Sequence, residues 1–246
     1  MGNKATRSFT LIELLVVMVM IGLLALLAYP AYISVEERAK VAKDMNNLRQ
    51  IGIATQMYMN DNDGTLFSPA ASWMSQLYSK YLSAWNILIS PFDSPVNNPV
   101  TPLRSASDNN ANSAVSYGIN GIQPSIIGMA AGKISKPTVF ILFASAQDSS
   151  NVVEFQGTAN TTSPMVNLAN SSNVTVLGIG GGQATSTPGG NSGTAPHGTH
   201  SSRTKINALF ADLHCENMPW TTFTNNTTST ADPDAGLRWT PYPNYP

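Results

Sequence analysis

The chain has 246 residues, of which 11% are charged, with 13 Lys and Arg set against 14 Asp and Glu. That near-neutral balance supplies no basic surface for nucleic acid, and the length holds a membrane segment plus one globular domain of ordinary size. The single cysteine, Cys215, excludes an intrachain disulfide, so stability must come from a core or from assembly.

A polar leader carrying Lys4 and Arg7 opens the chain, and in the apolar stretch that follows Glu13 is the sole charge before Glu36. About 20 apolar residues suffice to span a bilayer as a helix, and an ionised group inside such a span costs several kcal/mol unless it is partnered. Glu13 therefore needs a cation that the segment itself does not supply. If the leader is cut between Ser8 and Phe9, the new α-amino group of Phe9 lies one helical turn from Glu13, and the same amine on a neighbouring copy is a second candidate. An ordinary secretory signal would have a shorter apolar region and a small-x-small exit. The positive leader is expected to stay on the cytoplasmic side and send the rest outward.

The run Ser8-Phe9-Thr10-Leu11-Ile12-Glu13, continued by Leu14-Leu15-Val16-Val17, resembles the N-terminal signal of type IV pilins and type II secretion pseudopilins. The resemblance implies cleavage by a prepilin peptidase before Phe9, N-methylation of the new amine, and an assembly role for Glu13. Pro30 falls where these proteins often carry a helix-loosening proline, and Ser8 stands where they usually have glycine. A single-pass inner-membrane subunit is implied, with its C-terminal domain outside the cytoplasm. Inner-membrane assembly machinery would draw it, with copies of itself and other pilins, into a periplasmic pseudopilus or a cell-surface filament.

Helical character persists beyond the membrane segment. Leu48, Ile51, Thr55 and Tyr58 recur at steps of three and four, with Lys40, Lys43, Asp44 and Arg49 as the polar side. Asn60-Asp61-Asn62-Asp63-Gly64 reads as the stop. At 1.5 Å per residue, a helix from Phe9 to Asn60 is roughly 75 to 80 Å long. Pro30 removes a backbone hydrogen bond, so a kink or melted stretch is expected between Gly22 and Pro30. The phrase from Asn46 to Gly52, continued to Asp61-Asn62-Asp63-Gly64, resembles pseudopilin-like proteins with large C-terminal domains, as do Trp73 to Tyr81 and Ser116 to Gly121. These relatives often carry Cys-Pro where this chain has Ser90-Pro91.

After residue 64 short apolar runs, Thr138 to Phe143 and Val174 to Leu177, alternate with Asn, Ser, Thr, Gly and Pro clusters, the mark of strands on long loops. Residues 93–114 and 178–199 are poor in large apolar side chains and read as loops. The expected organisation is a leader at 1–8, a transmembrane and filament-core helix at 9–35, its amphipathic continuation at 36–64, and a β-rich domain at 65–246. The fold class is α+β, a long N-terminal helix packed on a mainly antiparallel sheet.

His197, His200 and His214 all lie near Cys215 in the C-terminal third. Neutral imidazole and thiolate suit zinc. Adjacent strand residues point to opposite faces, however, so His214 and Cys215 would not share an ion if Ile206 to Glu216 is extended. The stretch also resembles a C-terminal signature of the same relatives, a His followed by Asp-Gly behind a core strand. Here Leu213 stands in place of that glycine, against a tight two-residue turn. Asp232 and Asp234 offer two carboxylates to calcium, which the pseudopilin resemblance brings to mind, but calcium takes six to eight oxygens. No nucleophile elbow, phosphate loop or His-Glu-x-x-His motif is present, so no enzyme and no cofactor is expected. The reading is a structural filament subunit, with a membrane-tethered minor pilin or adhesin acting as a binding module as the alternative.

Overall fold

The computed structural model describes residues 10–68, 73–78, 80–92, 116–120, 126, 128–145, 165–170, 173–177, 199–201, 204–225 and 228–243. The chain divides into two compact units, Met1–Ala39 and Lys40–Pro246. Helix α1 (Leu11–Asp61) runs unbroken for 51 residues with Pro30 inside it. Of the kink or melted stretch expected between Gly22 and Pro30, the melted form is not present, because proline deletes a single N–H donor and the hydrogen bonds on either side keep the helix. The stop falls where the sequence places it. Asp63 (φ 54°) and Gly64 (φ 72°) enter the left-handed region, and the Gly64 N–H returns to the Met59 carbonyl at 2.8 Å.

In the first unit every large apolar side chain from Leu11 to Val35 is exposed. Only a lipid or protein environment would relieve water of that surface. This helix is long and apolar enough to cross a membrane.

In the second unit the helix is amphipathic. Leu48, Ile51, Thr55 and Tyr58 are buried as the spacing requires. The apolar members pack with Trp73 and Leu77 of α2 (Trp73–Leu77) and with Tyr117, Phe143 and Leu209 of the sheet. Asp44 departs from the reading that set it on the polar side, since it is fully buried. It lies one helical turn before Leu48 and so on the same stripe.

The sheet has six strands, β1 (Tyr117–Asn120), β2 (Ile141–Ser145), β3 (Met165–Asn170), β4 (Asn173–Leu177), β5 (Lys205–Phe210) and β6 (Cys215–Pro219), in the order β4-β3-β1-β2-β5-β6. All neighbours pair antiparallel except β1 with β3, which gives the expected α+β architecture. The strand expected from Thr138 starts instead at Ile141. A turn precedes it, in which the N–H groups of Val139 and Phe140 both return to the Lys136 carbonyl, at 3.1 and 3.0 Å. Residues 93–114 and 178–198 lie outside the described residues.

Strand β5 alternates cleanly. Leu209 joins the core beneath α1, whereas Ile206, Ala208 and Phe210 face the other way. There they meet Met218, Phe223 of α3 (Trp220–Thr224) and Trp239 in a second core. The indole Nε1 of Trp239 donates to the Phe223 carbonyl at 2.9 Å, so the buried ring keeps its polar atom satisfied.

Candidate functional site

The N-terminal site is built by the start of α1. Thr10 precedes the first helical residue, its N–H and hydroxyl each donate to Glu13 Oε2 at 2.8 Å, and the Glu13 N–H reaches back to Thr10 Oγ1 at 3.3 Å. This is a reciprocal capping box, in which the residue at the cap and the third helical residue satisfy each other's main-chain donors. Glu13 thus has two neutral donors within its own segment, an arrangement that Thr-x-x-Glu before an apolar run signals. Ser8 and Phe9 lie outside the described residues. Pro30 sits in the exposed, uninterrupted helix.

A second constellation escaped the sequence reading. Asp44 Oδ1 accepts the Ser90 hydroxyl at 2.5 Å and the Tyr117 hydroxyl at 2.7 Å, while Oδ2 accepts Asn207 Nδ2 at 2.8 Å. These donors come from three separate places in the chain, so the carboxylate ties α1 to the sheet. The network continues outward. Asn217, directly opposite Asn207 in the β5–β6 ladder, donates to Asn207 Oδ1 at 2.8 Å, and the same amide meets His200 Nε2. His200 also contacts Thr199 Oγ1 through Nδ1 at 2.9 Å and stacks on Phe92. Burial pushes the Asp44 carboxyl above its usual range, against the opposing bonds from Ser90, Tyr117 and Asn207 and the influence of His200. Ser90 stands where the resemblance implies a cysteine, and here its hydroxyl serves this network.

The proposed metal ligands are dispersed. His197 lies outside the described residues. Ile206 to Glu216 is not one extended strand, since a loop of Ala211 to His214 divides it and Leu213 takes φ 72° where the signature has glycine. His214 is held by Asp212 Oδ1, 2.5 Å from Nδ1, and stacks on Phe210 at 4.2 Å. The Cys215 thiol turns to the Met45 carbonyl, and burial pushes its pKa up to about 11. A protonated thiol is a poor zinc ligand. Among the described residues no three His, Cys, Asp or Glu side chains converge. Asp232 and Asp234 do not share a site either, because Asp232 pairs with Arg238 at 3.0 Å and Asp234 with Lys136 at 2.5 Å.

The described chain thus opens on an exposed apolar helix with a capped glutamate and continues it as the packing helix of an α+β domain. Residues 3–29 match the family described as a prokaryotic N-terminal methylation motif. The chain is 36% identical over 61 residues to the type IV major pilin protein PilA of Myxococcus xanthus (strain DK1622), a match covering 25% of this chain and 28% of that protein. It is 39% identical over 62 residues to the type II secretion system core protein G of Pseudomonas aeruginosa, covering 25% of this chain and 44% of that protein. The chain thus spans less than half the length of either relative. No solved structure matches it.

Proposed function

We propose that the chain is a structural subunit that assembles through the N-terminal part of α1 into a filament of the pilus or pseudopilus kind. The observation that carries this reading is the unburied apolar helix that begins within the methylation-motif match at residues 3–29 and is interrupted by a single acid, Glu13. A prepilin peptidase would cut between Ser8 and Phe9 and methylate the new amine. In the inner membrane the helix sits in lipid; drawn out by the assembly machinery, it exchanges lipid for the helices of other copies and never exposes its apolar surface to water. Glu13 then meets the Phe9 amine of the adjacent copy, which neutralises both charges in an apolar core. Such a head-to-tail interface grows without closing, as a fibre requires.

The mass of the N-terminus of the protein isolated from membranes tests this. A chain beginning at N-methylated Phe9 is expected; Met1 retained in assembled material would remove the reading. The Lys40–Pro246 unit supplies the outward surface of the filament, and shaft and tip subunits separate by abundance in purified filaments.

A further inference from the structure

The loop between α3 and the short 3-10 turn Ala235–Arg238 is organised around a guanidinium. Arg238 is only 7% exposed. Its Nη2 donates to both carboxylate oxygens of Asp232, at 3.0 and 3.3 Å, and its Nη1 donates to the Asn225 carbonyl at 2.8 Å. Asn225 closes the ring from its side chain, donating Nδ2 to Asp232 Oδ2 at 3.1 Å, and the Asp232 N–H is taken up by Ser229 Oγ at 3.1 Å. A carboxylate and a main-chain carbonyl are the oxygen ligands a hard cation takes. Here they converge on a side-chain cation.

We propose that Arg238 is the built-in cation of this loop, holding Asp232 and the Asn225 carbonyl so that the C-terminal segment closes over the second core without a divalent ion. Calcium gathers six to eight oxygens, and each of these carboxylates already faces a cationic side chain. Asp232 is engaged through both oxygens by Arg238, and Asp234 is drawn to Lys136. The planar guanidinium directs Nη2 at the Asp232 carboxylate and Nη1 at the Asn225 carbonyl, two acceptors held at once by one rigid fork of donors. The neighbour of Arg238 is Trp239, 1% exposed and edge-on to Phe223 at 4.9 Å. The indole is held in turn by Phe223, whose carbonyl accepts its Nε1 at 2.9 Å, so adjacent residues anchor this segment at two points. This assignment stands on the Lys40–Pro246 unit alone and is independent of filament formation.

Thermal melting of the full chain in detergent, with EGTA and then with millimolar calcium, tests it. The wild-type midpoint is expected to be the same in both. Arg238→Gln and Asp232→Asn are each expected to lower it by on the order of 10 °C. The double variant should lose less than the sum of the two single losses, since both remove the Arg238–Asp232 pair, and a fully additive loss would overturn the assignment. A wild-type midpoint raised by calcium and lowered by EGTA would overturn the assignment, as would Arg238→Gln melting with the wild type. Should Arg238→Gln fail to fold, the wild-type calcium comparison and Asp232→Asn still decide.

Discussion

The Ser90 hydroxyl donates to Asp44 Oδ1 across 2.5 Å and so joins the segment after the 3-10 turn Trp85–Leu88 to the middle of helix α1. Tyr117 and Asn207 complete the arrangement around a carboxylate that is fully shielded from water.

Removing the carboxylate takes an acceptor from three buried donors at once, of which Asn207 Nδ2 keeps the Val41 carbonyl at 3.4 Å. Each unsatisfied group costs about 1–3 kcal/mol, so Asp44→Ala is expected to destabilise by on the order of 4 kcal/mol. Ser90→Ala, which leaves Asp44 its two other donors, should cost about 1 kcal/mol. Denaturant midpoints of the full chain in detergent provide the comparison, and equal losses would show that Asp44 is not the hub.

The same acid carries a pH signature. Its folded pKa is raised, chiefly by burial, so the folded chain holds this proton more tightly than the unfolded one. The associated stability is fully present below the ordinary Asp value and is lost as pH rises through the raised pKa. Relative to Asp44→Asn, the wild type should therefore gain stability as the solution is acidified from neutral. A pH-independent difference between the two would contradict the assignment.

Gly52 lets α1 approach the β5–β6 hairpin. A Cβ there would lie 3.1 Å from both Leu209 methyl carbons and 3.3 Å from Leu213 Cδ2. Alanine favours a helix by about 1 kcal/mol over glycine, but overpacking a core costs about 1–3 kcal/mol, and Leu209 is fully buried. Gly52→Ala should lower stability by about 1 kcal/mol; a more stable variant would mean that the hairpin can yield.

Glu13 has two separable roles, cap and charge. Glutamine serves equally in a capping box, so Glu13→Gln should keep the helix start and membrane insertion yet assemble poorly. Glu13→Ala should lose the cap as well. Filament yield from Glu13→Gln equal to wild type would show that the charge has no part in assembly.

The long helix was legible because its signals are local and redundant: an apolar run, a stripe at steps of three and four, and an Asn-Asp-Gly stop. The core strand Ile206 to Phe210 was legible for the same reason. Asp44 was missed because charge was allowed to outweigh its place on the buried stripe, and its donors Ser90, Tyr117 and Asn207 lie 46, 73 and 163 residues away in sequence. No local pattern reveals such partners. Leu213 shows the opposite limit. The altered turn was visible in the sequence, but the four-residue loop that absorbs its positive φ depends on the Phe210 N–H donating to the His214 carbonyl and the Leu213 N–H to the Phe210 carbonyl, each at 3.0 Å.

The composition of filaments sheared or extracted from expressing cells, read by mass spectrometry alongside electron microscopy, bears most directly on the central claim. The account expects this chain, beginning at Phe9, within helical fibres, and its loss from them in Glu13→Gln. Fibres that lack the chain, with the protein remaining as dispersed single copies in the membrane, would contradict it.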